Sequence, residues 1–153
     1  MAIVFVVDAA ALADGDALPA TAEYLYEVLL SLQRRHASAK GSKPPPPVPV
    51  LVAANKLDLF TALPATLVRS NLEAELGRIR KTRSKGLLDS GVGEDDVGAG
   101  GEENDDWLGE YGSEKFTFRQ MLEFDIEVDV LGGNVVGDGP GADKWWTWIA
   151  EKI

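Results

Sequence analysis

The 153-residue sequence contains no cysteine and a single histidine, His36. Without thiols there are no disulfides, no thiol nucleophile and no thiolate zinc site. One imidazole cannot build a multi-histidine metal centre, and it leaves little room for a histidine-linked relay. Positive charge is also scarce: 15 Lys and Arg face 25 Asp and Glu, a formal net charge of −10. That balance argues against nucleic acid or an anionic membrane as a non-specific partner, because both attract positive potential. Long hydrophobic runs are missing too. The best, Ala2 to Val7, is stopped by Asp8, far short of the roughly 20 residues that cross a bilayer. The N-terminus has no basic stretch of the kind that opens a secretory signal peptide. What is present is 45% hydrophobic residues in a length suited to one globular domain.

Charge is distributed unevenly. From Asp89 to Glu114 there are ten acidic residues and no Lys or Arg, with Gly91, Gly93, Gly98, Gly100 and Gly101 among them. Such a stretch buries too little apolar area to offset its ordering entropy and reads as a flexible, solvated insertion over about 86–114. A second insertion, at about 39–47, contains Pro44-Pro45-Pro46-Pro47, which favours an extended polyproline connector over helix or central strand.

Between these loops strands and helices alternate. Ile3 to Val7 is a β-branched and aromatic run, the pattern of a parallel strand covered on both faces. Pro19 suits the first turn of a helix over Ala20 to His36, striped by Leu25, Val28, Leu29 and Leu32. Val48 to Ala54 reads as a second buried strand with Pro49 at its entrance. Pro64 then opens a helix with Leu67, Val68, Leu72, Leu76 and Ile79 at spacings of three and four. Its last turns carry Arg78, Arg80, Lys81, Arg83 and Lys85, where cations complement the helix dipole. A strand at Ile126 to Leu131, a glycine-rich turn and a helix from Asp143 to Ile153 complete the chain. In that helix Trp145, Trp146 and Trp148 suit packing against the sheet, with Trp146 the one that could face solvent. His36, beside Arg34 and Arg35, reads as a helix-end cation. The order predicts an α/β fold: a parallel sheet of about three strands with flanking helices. Ligands of such sheets collect at the carboxyl ends of the strands, after Val7, Ala54 and Leu131.

One of those positions carries chemistry. Asn55-Lys56-Leu57-Asp58 follows the second strand directly, an N-K-x-D string that resembles the guanine-specificity motif of the P-loop GTPases. A carboxylate at Asp58 can accept from both the N1–H and the exocyclic amine of guanine, a donor pair adenine does not offer. The Lys56 stem would lie along the face of the base and the Asn55 amide would bridge the base edge to backbone. Asp58 as a cap for the following helix is the plain alternative. For the phosphates the sequence offers nothing comparable. It contains no G-x-x-x-x-G-K-S/T, and its D-x-x-G strings at Asp95-Gly98, Asp106-Gly109 and Asp129-Gly132 all follow Asn55, whereas a switch aspartate precedes it. Lacking these phosphate and Mg²⁺ elements, the chain by itself is expected not to hydrolyse GTP.

Further segments narrow the resemblance. Leu72-Glu73-Ala74-Glu75-Leu76-Gly77-Arg78-Ile79-Arg80-Lys81-Thr82-Arg83-Ser84 resembles a helix end of the signal recognition particle receptor β subunit family. Phe116-Thr117-Phe118-Arg119-Gln120-Met121 resembles that family's F-x-F-x-Q-L segment, Ile3 to Asp8 its I-V-F-V-V-D strand, and Lys144 to Ile153 its tryptophan-containing terminal helix. The resemblance implies residues 1–153 as the carboxyl-terminal part of a small GTPase-like domain, without the family's membrane anchor, P-loop and switch regions. It implies GTP as ligand, Asn55, Lys56 and Asp58 as guanine-binding residues, and the receptor α subunit as partner. It also implies a place at the cytosolic face of the endoplasmic reticulum in co-translational targeting. A third guanine loop would fall near Gly132-Gly133-Asn134, where the match is poor. In the family's sheet the strand matching Ile3 to Val7 is central, so a truncated form would leave it as an open edge. Two other readings stand beside this one: a fragment of an active Ras-like or ADP-ribosylation-factor-like GTPase, and a non-nucleotide α/β interaction domain.

Overall fold

The structure, a computed structural model, describes residues 1–39, 41, 43–89 and 106–153. Three strands form one parallel sheet: β1 (Ile3–Asp8), β2 (Val48–Asn55) and β3 (Ile126–Gly132), in the order β1-β2-β3. Helix α1 (Ala17–Ser38) connects β1 to β2, and α2 (Ala65–Asp89) leaves β2. Short 3₁₀ helices follow β1 at Ala11–Asp14 and precede β3 at Phe118–Phe124, and α3 (Asp143–Lys152) ends the chain. Pro19 lies in the first turn of α1, where its missing N–H costs nothing. Pro64 precedes α2 and its carbonyl accepts from Leu67 and Val68.

The two faces of the sheet are covered differently. Against one, Ala22, Leu25, Leu29 and Leu30 of α1 and Val68, Leu72 and Leu76 of α2 bury Phe5, Val7, Val50, Val52 and Val128. Against the other, Trp145 and Trp148 of α3 cover Leu51 and Ala53. Both indoles are anchored: Trp145 Nε1 donates to the Leu131 carbonyl at 3.0 Å and Trp148 Nε1 to Asp129 Oδ2 at 2.7 Å. The result is the expected three-layer α/β arrangement, with Trp146 at 67% exposure facing solvent.

Helix α3 packs on β2 and β3, so the matching face of β1 is open. Val4 and Val6 are 42% and 60% exposed, and β1 is an edge of the sheet. The expectation of a strand covered on both faces therefore fails, because covering that face needs more apolar surface than α3 supplies. Leu67 also departs from its expected place in the apolar stripe of α2, lying 47% exposed.

The segment expected as a solvated loop over 86–114 is corrected at both ends. Helix α2 runs on to Asp89, and residues 106–109 and Ser113 are docked against α1 and α2, while Glu110, Tyr111, Gly112 and Glu114 are exposed. Leu108 is fully buried. The Tyr26 hydroxyl donates to the Asp106 carbonyl at 2.6 Å, and Gln33 bonds the Trp107 carbonyl and the Gly109 N–H. Arg80 is the centre of this docking and is 1% exposed. Its guanidinium donates to the carbonyls of Leu108 and Ser113, to the Ser113 hydroxyl and to Gln120 Oε1. Its Cζ also lies 4.4 Å from the centre of the Trp107 ring. Arg80 is thus no helix-end cation: the helix continues beyond it, and its two terminal nitrogens are held by main-chain and side-chain oxygens while its buried Nε has no partner among the described residues. The middle of the acidic stretch, 90–105, lies outside the described residues.

Two outcomes follow. Arg80→Ala leaves the Leu108 and Ser113 carbonyls without their donor and should cost roughly 2–4 kcal/mol in urea unfolding, with Arg80→Lys recovering only part because it lacks the planar fork. Val6→Lys places a charge on the open face of the edge strand and should reduce self-association in light scattering, with little change in melting temperature.

Candidate functional site

Parallel pairing sets Asp8 opposite Asn55 and Ala54 opposite Gly132, so the three strands end level. Beyond them the chain turns sharply. Lys56 adopts a left-handed conformation at φ 67°, unusual for a residue with a Cβ, and Leu59 N–H closes the turn on the Lys56 carbonyl at 3.0 Å. The turn is tied to the loop after β3: Leu57 N–H donates to the Gly133 carbonyl and Gly133 N–H to the Ala54 carbonyl, each at 3.0 Å. Asn55 adds a side-chain link, its Oδ1 accepting from Val135 N–H at 3.1 Å.

These links shape an open cavity of about 270 Å³ lined by Asn55, Lys56, Asp58, Leu59, Val135 and Val136. All three residues expected to contact guanine thus border one space. Asp58 is half-buried, and no described residue donates a hydrogen bond to its carboxylate. An acceptor with two free oxygens at the rim of a cavity suits a ligand edge that carries two donors. Val135 and Val136, 69% and 80% exposed, give the cavity an apolar flank against which a planar ring can lie.

The cavity also depends on residues outside the motif. Gly137 has φ 93°, and a Cβ there would stand 2.6 Å from Asp58 Oδ2. Asn134 is 3% exposed: its amide donates to the carbonyls of Val136 and Gly137 at 3.1 Å and its Oδ1 accepts from Gly141 N–H at 2.8 Å. It holds the loop after β3 in the shape that presents Val135 to Asn55. Asp8 faces the site from β1. Its Oδ2 accepts from Lys56 Nζ at 2.6 Å and its Oδ1 from the amides of Ala10 and Ala11 at 3.0 Å each. The Lys56 ammonium, aided by the Ala11 amide, holds the Asp8 carboxyl below its usual 3.8. Residues 132–134 showed only a poor motif match, yet Gly132 and Gly133 pack against Leu57 and Trp145 so closely that any Cβ would collide. The density of glycine after β3 was the available signal.

Residues 1–124 match the family model described as signal recognition particle receptor beta subunit. The chain belongs to this family. It is 34% identical over 160 residues to signal recognition particle receptor subunit beta of Homo sapiens, covering 97% of this chain and 49% of the human protein. Identity to the Saccharomyces cerevisiae subunit is 27%, covering 99% of this chain and 54% of the yeast protein. The chain therefore spans about half the length of these curated relatives. Among solved structures it resembles the receptor SRb-GDP-Mg from Chaetomium thermophilum, with 58% identity and a TM-score of 0.85 over 99% of this chain and 62% of that one. The SRb-GTP/SRX complex from the same organism matches with 57% identity and a TM-score of 0.82, over 99% of this chain and 50% of that one. Family and neighbours agree with the parallel α/β sheet expected from the order of strands and helices, and with the small GTPase-like domain that the resemblance implied.

Gly137→Ala forces a strained backbone and a clash with the Asp58 carboxylate, so it should shift the amide resonances of Asn55 to Leu59 while leaving those of α1 in place. For Asp8 the sign follows from its lowered pKa: the ionised, paired carboxylate stabilises the folded state, fully above the unfolded value of 3.8. That contribution disappears as pH falls through the folded value. Urea midpoints of wild type and Asp8→Asn should differ by a constant amount near neutrality and converge below about pH 3.8.

Proposed function

We propose that this chain carries the guanine-recognition part of a signal recognition particle receptor β subunit. Asp58 accepts from N1–H and the exocyclic amine of the base, the Lys56 stem covers one face of the ring, and Asn55 holds Val135 beside its edge. The observation that carries this reading is the convergence of the three side chains on one cavity, with the Asp58 carboxylate unpaired among the described residues. Solved relatives with GDP, with GDP and Mg, and with GTP and SRX support it. Guanine nucleotide is the ligand and the receptor α subunit the partner of the full receptor subunit, which acts in protein targeting at the cytosolic face of the endoplasmic reticulum membrane. No helix among the described residues is long and apolar enough to cross a membrane. The phosphates and Mg²⁺ find no P-loop within these 153 residues; the chain by itself binds the base and does not hydrolyse GTP.

Base contacts alone give weak affinity, of the order of 1 mM. The test is therefore an amide NMR titration of the chain with guanosine and, separately, adenosine. Guanosine should shift Asn55 to Leu59 and Val135 to Gly137, adenosine should not, and Asp58→Asn should abolish the guanosine response. Equal shifts from both nucleosides, or an unchanged response in Asp58→Asn, would overturn the reading.

A further inference from the structure

Asp8 lies outside the N-K-x-D string and 47 residues before Asn55 in the chain, yet it is the only side chain of the described structure bonded to Lys56. Its two oxygens do different work. Oδ1 accepts from both Ala10 and Ala11 N–H, which fixes the carboxylate plane, and with that plane fixed Oδ2 is aimed across the strand ends at Lys56 Nζ. The turn that orients Asp8 is itself fastened to the base-binding loop: Ala9 N–H donates to the Asn55 carbonyl at 3.1 Å and Leu63 N–H to the Ala9 carbonyl at 3.0 Å. Lys56 needs such a hold. Its left-handed backbone is strained for a residue with a Cβ, and its stem has four rotatable bonds that must be extended along one direction before it can serve as a platform for a planar base.

We propose that Asp8 is a positioning residue for the guanine site, holding the Lys56 ammonium so that the lysine stem lies flat against the base-binding cavity. The proposal rests on the guanine reading above. Asp8 touches no part of the base; it acts through Lys56, and its influence on binding should vanish once Lys56 has no charge to hold.

A double-mutant cycle reads this directly, using guanosine as probe in the amide NMR titration of the whole chain, with Asp8→Asn, Lys56→Met and the double variant. Asn at position 8 keeps an acceptor for the Ala10 and Ala11 amides while removing the charge. Asp8→Asn alone should weaken guanosine binding about fivefold, the scale of one partly exposed ion pair, and in the Lys56→Met background it should have no further effect. Equal losses in both backgrounds would mean that Asp8 acts only through its turn, and would overturn the proposal. Asp58→Asn, run in parallel, separates the two levels: if it leaves guanosine binding unchanged, the guanine reading itself fails and the Asp8 proposal falls with it. If it abolishes binding while the Asp8 and Lys56 effects are additive, only the Asp8 proposal fails. A measurement on the unmutated chain guards against a variant that does not fold. The nuclear Overhauser contact between the Lys56 side-chain end and the Asp8 Hβ protons should persist when guanosine is added, whereas its loss would contradict the proposal.

Discussion

Parallel pairing of β1 and β3 to the two sides of β2 is the constraint on which everything else depends. It brings Asp8, Asn55 and Gly132 to one level although they come from the beginning, middle and end of the chain. Each strand then hands over to a loop at the same edge, and the loops can bond to one another only because the strands end together. Asn55 reaches Val135, Lys56 reaches Asp8, and Leu57 reaches Gly133. A slip of one residue in either ladder would turn the side chains of that strand to the opposite face. Asp8 or Asn55 would then point away from the cavity.

The central strand is able to set this register because it is buried on both faces, by α1 and α2 on one side and by two indoles on the other. The same economy leaves β1 half covered. Its valines Val4 and Val6 stay exposed along the open edge. The acidic character of the chain is concentrated far from the cavity in sequence, and its described part, Asp106 to Glu114, is fastened to α1 and α2 by Arg80, Tyr26 and Gln33. Helix packing and site are thus supported by separate sets of contacts.

Much of the architecture was legible because it rests on patterns that physical chemistry writes plainly. Continuous β-branched runs at Ile3 and Val48, and the three- and four-residue spacing of Val68, Leu72, Leu76 and Ile79, gave the strands and helices, and the crossover rule gave the parallel sheet. The position of Asn55 to Asp58 at a strand's carboxyl end was readable for the same reason. What escaped the sequence were relationships between distant segments. Arg80 looks like its neighbours Arg78 and Lys81 in sequence. Only the fold shows that it meets the carbonyls of Leu108 and Ser113, and composition alone made that segment look solvated. Asp8 reads as the polar end of a strand, and its ammonium partner becomes visible only once the strands are aligned. Asn134 and Gly137 are features of backbone shape, which residue type signals only as an excess of glycine.

The central claim is that the loop after β2 recognises guanine through Asp58. A crystal structure of this chain with guanosine tests it most directly. The account predicts the base in the cavity between Lys56 and Val135–Val136, with both Asp58 carboxylate oxygens within hydrogen-bonding distance of N1 and the exocyclic amine. Guanosine bound elsewhere, or bound there with Asp58 turned away from the base edge, would contradict it.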